Sequence, residues 1–195
     1  MSIGLLGVVS TAVLRFVAWQ ASHDVGHKGI SLENKVRAAR EFSRFARVFI
    51  SSEASLPPEL ADYQIKIPAE SMHHALTFAA LVFGESATMA SEAAMLGTPA
   101  IFVNRGGLGY TAEEERAFGL VFNFGESKVD QQRAIARGLD VLGMGDAKEV
   151  WAQRRSRMLT AKIGVTAFLY WFVTHFPRSL DDCRERNAEV MARFR

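Results

Sequence analysis

Residues 100–103, Ala-Ile-Phe-Val, are apolar at four successive positions, with Thr98-Pro99 before them and Asn104-Arg105-Gly106-Gly107 after. A strand with one wet face alternates apolar and polar residues. An unbroken apolar run between turn residues instead describes a strand covered on both sides, as in a parallel sheet layered between helices. Similar short runs, rich in β-branched and aromatic side chains, fall at 14–19, 46–51, 64–67, 80–84 and 120–124. Longer segments of helical period separate them, at 32–45, 69–79, 86–96, 112–118 and 127–142. Such alternation predicts α/β units: a Rossmann-like, mostly parallel sheet flanked by helices. Beyond Gly145 the pattern is purely helical, at 147–160, at 165–176 and in a charged tail from Leu180, so the chain is expected to end without a further strand.

The boundaries have physical reasons. Ser31 offers a hydroxyl to cap the first helix, and Pro68 stands at or just before a first turn, where a missing N–H costs nothing. Gly97 followed by Thr98-Pro99 is a glycine stop with a proline just beyond it. At 195 residues with 49% hydrophobic content, one core is expected, and the whole chain, 1–195, reads as a single domain.

Composition narrows the function classes. With 23 Lys+Arg against 21 Asp+Glu, no polyanionic partner such as nucleic acid is called for. Cys183 is the sole cysteine, so no internal disulfide can form. No Cys/His spacing suggests a metal site, and the composition suits a reducing cytoplasm. The apolar runs 3–19 and 163–176 fall short of the about 20 residues a spanning helix needs. Arg15 interrupts the first, and His175 and Pro177 close the second. Both read as core or interface elements, and no contact with a membrane surface is expected.

Ligands of open parallel sheets bind outside the carboxyl ends of the strands, which directs attention to three loops. The first runs from Phe83-Gly84-Glu85-Ser86-Ala87-Thr88 into Met89-Ala90-Ser91-Glu92-Ala93-Ala94-Met95-Leu96-Gly97-Thr98-Pro99. Gly84 ends a buried strand, and Ser86 or Thr88 places a hydroxyl in the first helical turn. Free N–H groups there favour an anion, and the small side chains of Ala87 and Ala90 let a ligand approach the backbone. Glu92, nearly two turns along, carries a carboxylate suited to ribose hydroxyls. The same residues also fit a plain helix start, in which Ser86 is a cap and Glu92 a solvated charge.

This segment resembles the non-hydrolysing UDP-N-acetylglucosamine 2-epimerases, in which a Ser-Gly-Gly helix start is followed by an acid and then Leu-Gly-x-Pro. The resemblance implies that Ser86 and the adjoining backbone hold UDP phosphates and that Glu92 binds the ribose. Ser-Ala-Thr-Met-Ala-Ser-Glu-Ala-Ala-Met-Leu-Gly-Thr-Pro is closer still to the uncharacterised family called domain of unknown function 354, related to those epimerases and to GT-B glycosyltransferases. The likeness runs from about Arg15 to Pro177 and takes in residues 19–26, 72–76 and 119–124. Ala87 and Thr88 replace the glycine pair, and Glu85 stands where the related families commonly carry aspartate. That longer acid either caps the helix less well or points away from it. A full GT-B chain has two Rossmann-like domains. Here about 150 residues of an N-terminal domain are expected before Leu14 on normal domain size, whereas only 1–13 precede it. The expected architecture is therefore half of a GT-B fold.

The second loop, Ser22-His23-Asp24-Val25-Gly26-His27-Lys28-Gly29, brings imidazoles, a carboxylate and an ammonium into one turn. His23 and Asp24 are the candidate catalytic pair, because an imidazole beside a carboxylate moves protons near neutral pH. The epimerases resemble this loop only at the histidine. A polar turn, with Asp24 bonding backbone amides, accounts for the same residues. The third loop contains Arg105 among glycines, where its fork suits a phosphate or a sugar acid and where a simple turn would look the same. His73 and His74 are expected to flank packing contacts and not to bind a metal, since adjacent helical residues point apart.

Two functions follow. One is an enzyme, or part of one, that transfers or epimerises a UDP-linked sugar and needs no separate cofactor; Ser86, Ala87, Thr88, Glu92 and Arg105 hold the nucleotide, and His23 and Asp24 serve the reacting sugar. The other is a non-catalytic nucleotide-binding or assembly module. In it, the aromatic C-terminal helices, with Phe168, Leu169, Trp171 and Phe172, dock an N-terminal domain or a second copy.

Overall fold

The computed structural model describes residues 10–18, 28–105 and 109–195. Five strands form one parallel sheet: β1 (Thr11–Phe16), β2 (Arg47–Ser52), β3 (Leu81–Gly84), β4 (Ala100–Val103) and β5 (Val121–Phe124), in the order β2-β1-β3-β4-β5. All four pairings are parallel, and all residues of β3 and β4 are buried, as the unbroken apolar runs require. The expected α/β architecture is therefore the observed one.

Helices α1 (Leu32–Phe42) and α5 (Lys128–Leu142) pack together, as do α2 (Met72–Phe78) and α3 (Ala87–Leu96). Ser31 and Ser127 cap α1 and α5, accepting from Asn34 and Asp130 N–H. Gly138 lets α5 settle onto α1: an added Cβ there would lie 2.6 Å from the Phe42 ring, which itself meets Phe83 edge-on at 5.3 Å. Across the same interface buried Asn34 donates to Gln131 Oε1 at 2.7 Å, so the polar atoms on the two helices satisfy one another.

Two expected elements come out differently. Residues 64–67 are not a strand. Gln64 makes one parallel bridge to Ile50, and the Ile65 N–H donates to the Ile50 carbonyl at 2.9 Å. Pro68, which has no N–H to offer, follows at once. β1 also begins three residues earlier than its apolar run suggests, because the register pairs Thr11 with Arg47 and Ala12 with Leu81. Between β4 and β5, α4 (Gly109–Glu113) continues into a π-helical segment, Glu114–Phe118.

The chain divides into two compact units, one reaching Arg155 and the other Ser156–Arg195. In the first, the start of α6 (Ala147–Ala161) fastens to the turn before β5 and to the last turn of α3. Buried Trp151 donates to the Leu120 carbonyl, Arg154 to that of Gly119 and Arg155 to that of Met95. The second holds α7 (Val165–Thr174), α8 (Arg178–Glu185) and α9 (Asn187–Ala192). There Phe168 and Trp171 close on Phe194 at 5.6 and 5.4 Å, and the Gly164 N–H donates to the Phe194 carbonyl. The opposite side of α7, with Leu169, Tyr170 and Val173, is exposed. The run 163–176 is thus largely surface, not core. Among the described residues no helix is long and apolar enough to cross a membrane.

Candidate functional site

In this strand order the chain reverses direction across the sheet between β1 and β3, and the crevice at their carboxyl ends is where such sheets receive ligands. β3 ends there at Gly84, whose added Cβ would lie 2.0 Å from the Arg15 carbonyl oxygen. Only glycine lets the two backbones run that close. The next residue, Glu85, turns into the crevice and is buried. Its Oε2 accepts from the Val17 N–H at 2.8 Å, its Oε1 from the Ile30 N–H at 2.5 Å, and Lys35 Nζ lies 3.1 Å away. Of the two expectations for this acid, the structure realises the second: it points away from the first turn of α3.

α3 begins at Ser86, which is extended (φ −97°, ψ 112°) and accepts the Met89 N–H on Oγ at 3.3 Å. The capping role of Ser86 is therefore real. Helix geometry leaves the N–H groups of Ala87 and Thr88 aimed out of the first turn. Met89, Ala90, Ala93 and Ala94 are buried. The opposite stripe, Thr88, Ser91, Glu92 and Met95, follows the three- and four-residue spacing of one helical face and lines a cleft of about 440 Å³. His73 of α2 and Tyr110 of α4 complete its walls. Thr88 and Glu92 are exposed along it, whereas Ser91 Oγ donates to Glu114, a buried carboxylate behind the stripe.

The structure thus brings Thr88 and Glu92 onto one surface, with Ser86 and Ala87 at the amino end of the same helix. Arg105 does not line that cleft. It borders a second, smaller cavity of about 200 Å³ at the ends of β4 and β5, with Asn104, Asn123 and Gly125. His23 and Asp24 lie outside the described residues. His73, expected to flank packing contacts, is exposed; its ring lies tilted against that of His74 with centroids 4.0 Å apart, and it forms a cleft wall. Tyr110 gave no signal in the sequence beyond following a glycine cluster, and its place opposite α3 comes from the turn into α4. Among the described residues no three His, Cys, Asp or Glu side chains gather as a metal site. The cleft combines hydroxyl, carboxylate and imidazole groups with flat apolar surface from Met95, Leu96 and Tyr110, which suits a ligand with hydroxyls and a planar ring.

No family model matches the sequence, and no curated protein matches it. Solved structures do. One is a putative UDP-N-acetylglucosamine 2-epimerase from Listeria monocytogenes, with a TM-score of 0.53 and 17% identity over 77% of this chain and 43% of that one. Another is the glycotransferase of kitacinnamycin, with a TM-score of 0.50 and 15% identity over 78% of this chain and 40% of that one. The chain spans less than half the length of either structure. What it shares with the epimerase and the glycotransferase is the Rossmann-like α/β fold.

Proposed function

We propose that this domain binds a nucleotide sugar, with the diphosphate at the amino end of α3 and the ribose beside Glu92. The observation that carries this reading is the shared face of α3: Thr88 and Glu92 open into one cleft, one turn apart, next to first-turn N–H groups. A helix start supplies donors and a partial positive charge to phosphate oxygens, and a carboxylate accepts from two adjacent hydroxyls. Ser86 and Ala87 border the phosphates, and Arg105, at the carboxyl ends of β4 and β5, is the guanidinium assigned to the ligand. The choice of UDP follows the likeness of Ser86, Glu92 and Leu96-Gly97-Thr98-Pro99 to the epimerase pattern and to domain of unknown function 354. In a complete two-domain protein the reaction is glycosyl transfer or epimerisation, with His23 and Asp24 serving the sugar, in the cytoplasm and with no further cofactor.

Calorimetric titration with UDP tests this. Ser86→Ala and Glu92→Ala are each expected to weaken binding about tenfold, the usual effect of losing a hydrogen bond to a charged group. Affinity unchanged in both variants would remove the site.

One observation favours the second reading, a binding module that works only beside another polypeptide. Leu169, Tyr170 and Val173 of α7, with Phe176 just beyond it, are all more than half exposed, an apolar face that a companion domain would cover. Turnover of a UDP-sugar only after a separate N-terminal domain is added would support it.

A further inference from the structure

Glu85 carries more structure than a surface loop needs. No part of its side chain reaches solvent, and its two oxygens are divided between two separate backbone segments. Val17, where the chain leaves β1, donates to Oε2; Ile30, where it enters α1, donates to Oε1. Burying a carboxylate is unfavourable unless it is hydrogen-bonded and paired, and Lys35, whose Nζ also sits 4.7 Å over the Phe16 ring, supplies the pairing charge. The downstream segment is fastened from the other side as well. Gln131 accepts the Ser31 N–H and donates to the Gly29 carbonyl, and the Lys28 N–H donates to Glu126.

Glu85 is also the residue immediately before Ser86. The backbone that carries this anchored acid is therefore the backbone that sets the extended cap and the direction of α3. Lys35 has a second consequence: by neutralising Glu85 it keeps a buried negative charge from opposing an anion at the adjacent helix start.

We propose that Glu85 is a positioning residue that ties the backbone at Val17 and at Ile30 to the start of α3, so that anion binding at α3 depends on a side chain that never touches the ligand. The anchor at Val17 and Ile30 stands on the geometry alone; the dependence of binding rests on the nucleotide reading above.

Two measurements on the full chain test it, using Glu85→Gln and Glu85→Ala. Lys28 is exposed and two residues before Ile30, so tryptic cleavage after it reports release of the backbone that Glu85 holds there. Cleavage there is expected to rise about tenfold in Glu85→Ala, and less in Glu85→Gln, whose amide oxygen still accepts one N–H. Cleavage after Arg133 and Arg157 should not change, whereas general loosening of the fold would raise all three. Should Glu85→Ala fail to fold, Glu85→Gln decides alone. UDP affinity is expected to fall in parallel with the rise at Lys28. Cleavage after Lys28 equal to wild type, or raised equally at every site, overturns the anchor. A wild type that titrates no UDP would sink the nucleotide reading and leave the anchor to be judged by cleavage. Equal UDP affinity in wild type and Glu85→Gln would overturn the positioning role.

Discussion

Helices α3 and α7 are both ten residues long and both dominated by apolar side chains, yet they are used in opposite ways. α3 buries Met89, Ala90, Ala93 and Ala94, and its exposed stripe lines a cleft. α7 carries larger side chains, Phe168, Leu169, Tyr170, Trp171, Phe172 and Val173, and none of its residues is buried. Small residues let α3 come close to its neighbours, whereas the bulk of α7 is arranged around Phe194 on one side and left to solvent on the other. Apolar content therefore does not determine which helix lies inside. The size of the side chains, and whether the chain supplies a surface for them, does.

The sharpest way to break that contrast is at the strand that delivers α3. Gly84→Ala sets a methyl 2.0 Å from a carbonyl oxygen that cannot move without disturbing β1, and a loss of more than about 3 kcal/mol in chemical denaturation is expected. A smaller effect is predicted within α3 itself. Ala93 is fully buried, and Ala93→Leu should cost about 1–3 kcal/mol, read as a lower denaturation midpoint at unchanged slope. At the other extreme, Val173→Ser in α7 should change stability by no more than about 0.5 kcal/mol, because that side chain is 71% exposed. A loss near 2 kcal/mol there would mean that the chain covers this face itself, and the contrast would collapse.

The fold was readable where local chemistry decides it. Ser31 and Gly97 act as the cap and the stop their types suggest, and residues 100–103 form a strand buried on both faces. It was unreadable where a choice depends on distant partners. The start of β1 is set by β2 and β3, and the short edge segment at 64–67 has too little pairing to remain a strand. Of the candidate cleft, Thr88 was singled out as a first-turn hydroxyl and Glu92 as a carboxylate suited to a ribose; that they share one face is what the folded helix adds. The same reasoning could not foresee that Arg105 borders another cavity or that His73 forms the facing wall. Glu85 was the least readable: the N–H groups it accepts belong to residues 55 and 68 positions away in sequence.

Buried Thr98 donates its hydroxyl to the Leu76 carbonyl at 2.8 Å, joining the turn after α3 to the body of α2. His73 stands on one of these helices and Glu92 on the other, so the bolt between them fixes the width of the slot they border. A nucleotide sugar seated as proposed would meet walls set in advance, with little reorganisation left for binding to drive.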